Sequence, residues 1–158
     1  MRRIMFLALA CLSASVSLAD APPPDRRPPD RRPPVALVST QPVKVSAASA
    51  HGPIFARKTA VKDNGPDGPT TDVALARSKD GRMQSGLYDA GPSEQDIESY
   101  PDDEFMYFIA GGVKLTSTDG SVLEIHAGEG AAIPRGWKGH WSTTGYKKYY
   151  VTYDSGTK

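Results

Sequence analysis

The sequence predicts an all-β domain that closes into a barrel or jelly roll, and three observations carry that prediction. From Asp72 to Tyr153, short runs rich in β-branched and aromatic residues follow turn signals at the spacing of a sandwich or barrel. Asp119-Gly120 stands between two alternating runs, Val113 to Ser117 and Val122 to Ile125, and supplies the positive-φ turn of a hairpin. No segment of useful length sustains a helical period. Closure of such a sheet removes exposed edges.

The chain begins with Arg2 and Arg3, an apolar stretch from Ile4 to Val16, and the small residues around Ala19, which together predict a secretory signal over residues 1–19. The apolar run, interrupted by Ser13 and Ser15, falls short of the roughly 18 to 20 residues of a membrane-spanning helix, so no membrane association is expected once the signal is cleaved. A periplasmic or secreted location follows. The one cysteine, Cys11, lies inside the signal, so the exported part has no disulfide.

Residues 20–71 are expected to form a proline-rich and irregular linker. Pro22 to Pro34 repeats Pro-Pro-Asp-Arg-Arg, where fixed φ and missing N–H donors favour a solvated polyproline II spacer. The segment to Thr71 is mixed and turn-rich, with one edge strand expected near Ile54-Phe55. The domain proper is placed at 72–158. Its strands are expected at 73–77, 83–88, 96–100, 104–110, 112–117, 122–126, 130–133, 139–143 and 147–153.

Lys and Arg number 19 against 18 Asp and Glu, a net charge of +1. Nucleic-acid binding needs a concentrated basic face and is not expected; a small polar molecule is the expected partner.

The glycines, proline and glutamate of this half form a spaced skeleton: Glu104-x6-Gly111, then Gly128-x5-Pro134-x-Gly136, with Lys147-Lys-Tyr-Tyr-Val151 closing the pattern. Taken in order, these motifs resemble the cupin superfamily, in particular the branch containing (S)-ureidoglycine aminohydrolase and ethanolamine-utilisation cupin domains. The resemblance implies a single jelly-roll barrel in which the glycines and Pro134 shape corners. It also implies a homodimer as a plausible assembly.

Metal-binding cupins place a His-x-His pair ahead of the glutamate and a further histidine after the Pro-x-Gly corner. Here those positions hold Glu98, Tyr100 and Gly139. His140 lies one residue beyond, and strand alternation turns it to the outer face. No cofactor is therefore expected; a divalent ion held weakly by Glu98, Tyr100 and Glu104 is the alternative.

Alternation places Glu98, Tyr100, Glu104, Met106 and Phe108 in the interior with Trp141, Lys148 and Tyr150. Glu98, Tyr100, Glu104, Trp141 and Lys148 are the candidate ligand-binding residues, and Glu104 the candidate catalytic one, as general base. Each also has a plainer role: Glu104 can pair with Lys148, and Trp141 can fill the core. The sequence leaves open a binding protein, a cupin hydrolase or isomerase acting on a small nitrogenous or carboxylate metabolite, and an interaction module served by its proline-rich tail.

Overall fold

In the computed structural model, residues 41–65 and 68–156 are described; the signal and proline-rich repeat expected from the sequence lie outside them. Among the described residues, antiparallel strands dominate. They are β1 (Val61–Asp63), β2 (Thr70–Arg77), β3 (Met83–Ala90), β4 (Ser93–Ile97), β5 (Asp103–Ser117), β6 (Val122–His126), β7 (Gly130–Ile133), β8 (Gly139–Thr143) and β9 (Tyr146–Tyr153). They form one curled sheet in the order β1-β2-β3-β9-β5-β8-β4, with β6 and β7 also paired to β5.

The curl is made by β5. Its first part pairs with β9 and β7, and its second with β8 and β6. The switch falls at a bulge between Phe108 and Ala110, followed by Gly111 at φ 65. A Cβ at Gly111 would stand 2.0 Å from the carbonyl oxygen of Gly145, so only glycine lets the two backbones approach this closely. The sequence predicts two strands here, Glu104 to Ala110 and Gly112 to Ser117; the structure joins them into one bent strand because the glycine corner bends the ladder without ending it.

Alternation along β5 and β9 sorts the core. Met106, Phe108, Val113, Leu115, Ile125, Ile133, Trp141 and Tyr146 pack inside the curl. A second cluster lies on the outer face, where Ala50, Ile54 and Phe55 cover Val73 and Leu87, with Ile109 and Tyr149 beside them. The covering segment is one helical turn, α1 (Ala47–Ala50), and a 3-10 helix over Pro53–Ala56. Ser46 caps α1 by accepting a hydrogen bond from the Ser49 amide.

Ile54-Phe55, expected as an edge strand, is therefore helical and buried. Pro53 at the first helical position favours this turn, and the two apolar side chains are used against the sheet, not in a ladder. The strand expected at 96–100 ends at Ile97, so Glu98 falls on a bend and is exposed.

Candidate functional site

The interior becomes polar where β5 begins. Glu104, on the inner face of β5, is 9% exposed and accepts hydrogen bonds at both carboxylate oxygens. Lys148 Nζ donates to Oε1 at 2.6 Å, and Tyr100 Oη donates to Oε2 at 2.5 Å. The Lys148 side chain passes Met106, with Nζ 3.9 Å from Sδ. Its ammonium faces the rings of Trp141 at 5.5 Å, Tyr146 at 5.6 Å and Tyr88 at 5.8 Å. Tyr100 is fixed from outside the strands: its amide donates to the Trp137 carbonyl and its carbonyl accepts from the Gly136 amide, while its ring stacks on Trp141 at 6.4 Å.

A second network lies on the same sheet face. Tyr150, two residues from Lys148 on β9, reaches across β3 to β2, where its hydroxyl donates to Asp72 Oδ1 at 2.8 Å and accepts from Gln84 Nε2 at 2.8 Å. Gly86 makes this crossing feasible, since a Cβ there would stand 2.7 Å from the Tyr150 hydroxyl. Burial pushes the Asp72 carboxyl up to about 6, against the hydrogen bond from Tyr150 and the nearby Lys148 ammonium. Burial and the Asp72 charge hold the Tyr150 phenol well above its ordinary value.

Of the residues chosen from sequence, Tyr100, Glu104, Trp141 and Lys148 come together, with Met106, Phe108 and Tyr150 buried beside them. Glu98 does not join them: the chain leaves the strand one residue earlier, which turns its carboxylate to solvent. Trp137, beside them, is half-buried, with Nε1 donating to Ser117 Oγ at 3.1 Å. Asp72 and Gln84 were missed, because neither carries a local motif: Asp72 stands just before the first expected strand and Gln84 inside the second. Gly86 inside a strand was the available signal, marking a close approach by another side chain.

The histidine pattern of a metal-binding cupin finds no substitute in this geometry. A Cβ at Gly139 would stand 2.3 Å from the Thr116 carbonyl oxygen and 2.6 Å from the Trp137 ring, so no side chain fits there. The Lys148 ammonium already meets Glu104, and Glu98 points away. His140 faces outward as alternation predicts, 2.8 Å from Asp96 and 3.9 Å from Glu94. These residues do not fit a histidine-held metal ion, and among the described residues no three His, Cys, Asp or Glu side chains converge for another.

A curled antiparallel sheet bent at a glycine corner, with a buried glutamate on its inner face, defines the class: this is a domain of the cupin superfamily. More narrowly, residues 77–150 match the family model described as a EutQ-like cupin domain, and the chain's domain is of that type. No curated protein matches the chain. Among solved structures it is similar to a Pseudomonas syringae pv. tomato protein of unknown function in the DUF861 family, with TM-score 0.54 and 22% identity over 59% of this chain and 43% of that one. The chain thus spans less than half the length of that protein. It is also similar to an ethanolamine utilisation protein Q from Salmonella typhimurium, with TM-score 0.50 and 20% identity over 60% of this chain and 76% of that one. A Rhizobium leguminosarum protein of unknown function aligns with TM-score 0.50 and 19% identity over 72% and 97% of the two chains. At these identities the likeness establishes the fold alone.

Proposed function

We propose that this cupin domain, exported from the cytoplasm, binds a small polar molecule at the mouth of its barrel without a tightly held metal ion. The observation that carries this reading is the Glu104–Lys148 pair, 2.6 Å apart with both side chains largely withdrawn from water. Stability alone does not favour such a pair, since desolvating two charges offsets much of their attraction and apolar residues of similar size often do as well. Half-buried Tyr100 is the movable partner: a ligand polar group would exchange with its hydroxyl at Glu104 Oε2 while Lys148 stays hydrogen-bonded to Oε1.

Thermal-shift screening of the purified protein with amides, amines, carboxylates and divalent ions tests this, because a ligand that binds only the folded state raises its apparent stability. The expected result is stabilisation by an organic polar compound, weakened at least tenfold in Glu104→Gln. Stoichiometric Mn, Fe, Ni or Zn that survives chelation would overturn the metal-independent part.

Asp72 favours a second reading, a hydrolase or isomerase acting on a small nitrogenous or carboxylate metabolite, as the resemblance to (S)-ureidoglycine aminohydrolase domains suggests. Its carboxyl titrates near 6, within the range of a general acid or base at neutral pH, and sits on the same sheet face as Glu104. Unchanged turnover of a confirmed substrate by Asp72→Asn and Glu104→Gln would dispose of it.

A further inference from the structure

The polar network beside the Glu104–Lys148 pair is a hydrogen-bond chain whose direction can reverse. Tyr150 has one hydroxyl proton, and with Asp72 ionised that proton goes to Oδ1 at 2.8 Å, which leaves the hydroxyl oxygen to accept from Gln84 Nε2 at 2.8 Å. Every link points toward Asp72. Gln84 is 8% exposed, yet its Oε1 has no hydrogen-bond partner among the described residues; since no fully buried side-chain nitrogen or oxygen of theirs lacks one, Oε1 is open to water. It is an acceptor in waiting. Gln84 stands opposite Thr152, and Thr152 opposite Glu104, so on the inner face this amide lies two strands, about 10 Å, from the carboxylate.

We propose that protonation of Asp72 reverses this chain and turns over the Gln84 amide, so that the inner face presents a hydrogen-bond acceptor in one state and a donor in the other. A neutral Asp72 must place its proton. Among the groups around it, the Val73 amide and the Lys148 ammonium only donate, and the Glu104 carboxylate is occupied by Lys148 and Tyr100, whereas the Tyr150 oxygen is in place to accept. Of its strand neighbours, Tyr88 turns its ring to Lys148 and Tyr146, and Val61 of β1 is apolar, with Lys62 and Asp63 of that strand exposed. Once Tyr150 accepts from Asp72, its own proton turns to Gln84. Nε2 cannot receive it, so the terminal amide rotates about its last side-chain bond, a soft and nearly two-fold torsion, and Oε1 takes the hydrogen bond. Nε2 then faces the open side. Burial, which raises the Asp72 carboxyl to about 6, puts the exchange just below neutral pH. The consequence for ligand choice rests on the binding reading above: a ligand N–H, as in an ammonium or amide, suits the ionised state, and a carboxylate or carbonyl the protonated one.

Side-chain amide NMR spectra of the full chain, nitrogen-labelled and without ligand, from about pH 4.5 to 7.5 test the relay. The Gln84 signal, assigned by its loss in Gln84→Met, should shift through one transition with its midpoint at about 6. In Asp72→Asn, whose side-chain oxygen accepts from Tyr150 at every pH, it should stay at the wild-type high-pH position. In Tyr150→Phe, which keeps the Asp72 charge but cuts the chain, the transition should be lost; Asp72→Asn alone carries the test if that variant does not fold. A wild-type signal that does not move overturns the proposal, as does one that titrates unchanged in Asp72→Asn. A signal that moves as far in Tyr150→Phe as in wild type overturns it too, since the Asp72 charge would then act through space. Methylammonium and acetate, titrated into the same sample at about pH 5 and about pH 7.5, test the selection: acetate should shift Gln84 at concentrations about threefold or more lower at the lower pH, and methylammonium the reverse. Equal preference at both pH values, or no response of Gln84 to either probe, overturns the selection, while the thermal-shift screen decides the binding site separately.

Discussion

Asp72 gives the domain a pH response whose sign can be worked out. Its folded pKa is raised to about 6 from the ordinary 3.8, so between those values the folded state holds the proton more tightly than the unfolded chain. Stability therefore falls as pH rises from about 4 to 6, by roughly 2 kcal/mol for a shift of this size. Asp72→Asn keeps an acceptor for the Tyr150 hydroxyl and removes the charge. Its stability relative to wild type should rise across that window and level off above it, as urea unfolding at pH 4, 5, 6 and 7 will show. The Glu104–Lys148 pair makes a different prediction. Lys148→Met leaves a buried carboxylate without its cation and should cost about 3 to 5 kcal/mol, whereas Glu104→Gln with Lys148→Met should recover most of that loss. Additive losses in the double variant would show that the two side chains are not coupled. The sequence made this pair legible because Glu104, Met106 and Phe108 share one parity along β5 and Lys148 and Tyr150 another along β9. It misled at Glu98, where parity was carried through a bend that ends the strand.

At the scale of elements, glycines separate by what surrounds them. Gly111 and Gly120 both have positive φ, at 65 and 85, but a Cβ at Gly111 meets the Gly145 backbone while one at Gly120 meets open space. Gly120→Ala should therefore cost only the conformational strain of about 1 to 2 kcal/mol. Gly111→Ala adds a backbone collision at the sheet corner and should cost about 3 kcal/mol or more, or prevent folding, as chemical denaturation of the two variants will distinguish. The strands from Val122 to Thr143 were legible to the residue because each is bounded by glycine, proline or an Asp-Gly turn. The helical cover over residues 47–56 was not. Four-residue elements carry no period to detect, and Ile54-Phe55 in isolation reads equally well as strand or helix.

The fold of the described domain reaches further toward the N-terminus than its strand pattern suggests. Ile54 is fully buried, so Ile54→Ala should remove about 2 to 5 kcal/mol, as much as a substitution deep inside the curl, measured by thermal or urea unfolding. An effect below about 1 kcal/mol would mean that the segment is only loosely laid on the sheet. What was legible at this scale was the family skeleton of glycine, proline and glutamate, since it shapes the backbone. The chemistry was less so, because it depends on side chains from β2, β3, β5 and β9 that meet only after closure.

The same connectivity bears on how the domain comes into being. β9 fills the gap between β3 and β5, with Tyr153 opposite both Met83 and Asp103. A folding chain must therefore leave the facing edges of β3 and β5 open until β9 docks between them. The two buried polar networks that Lys148 and Tyr150 bring from β9 are therefore among the last parts to assemble, and such non-local pairing makes for slow folding.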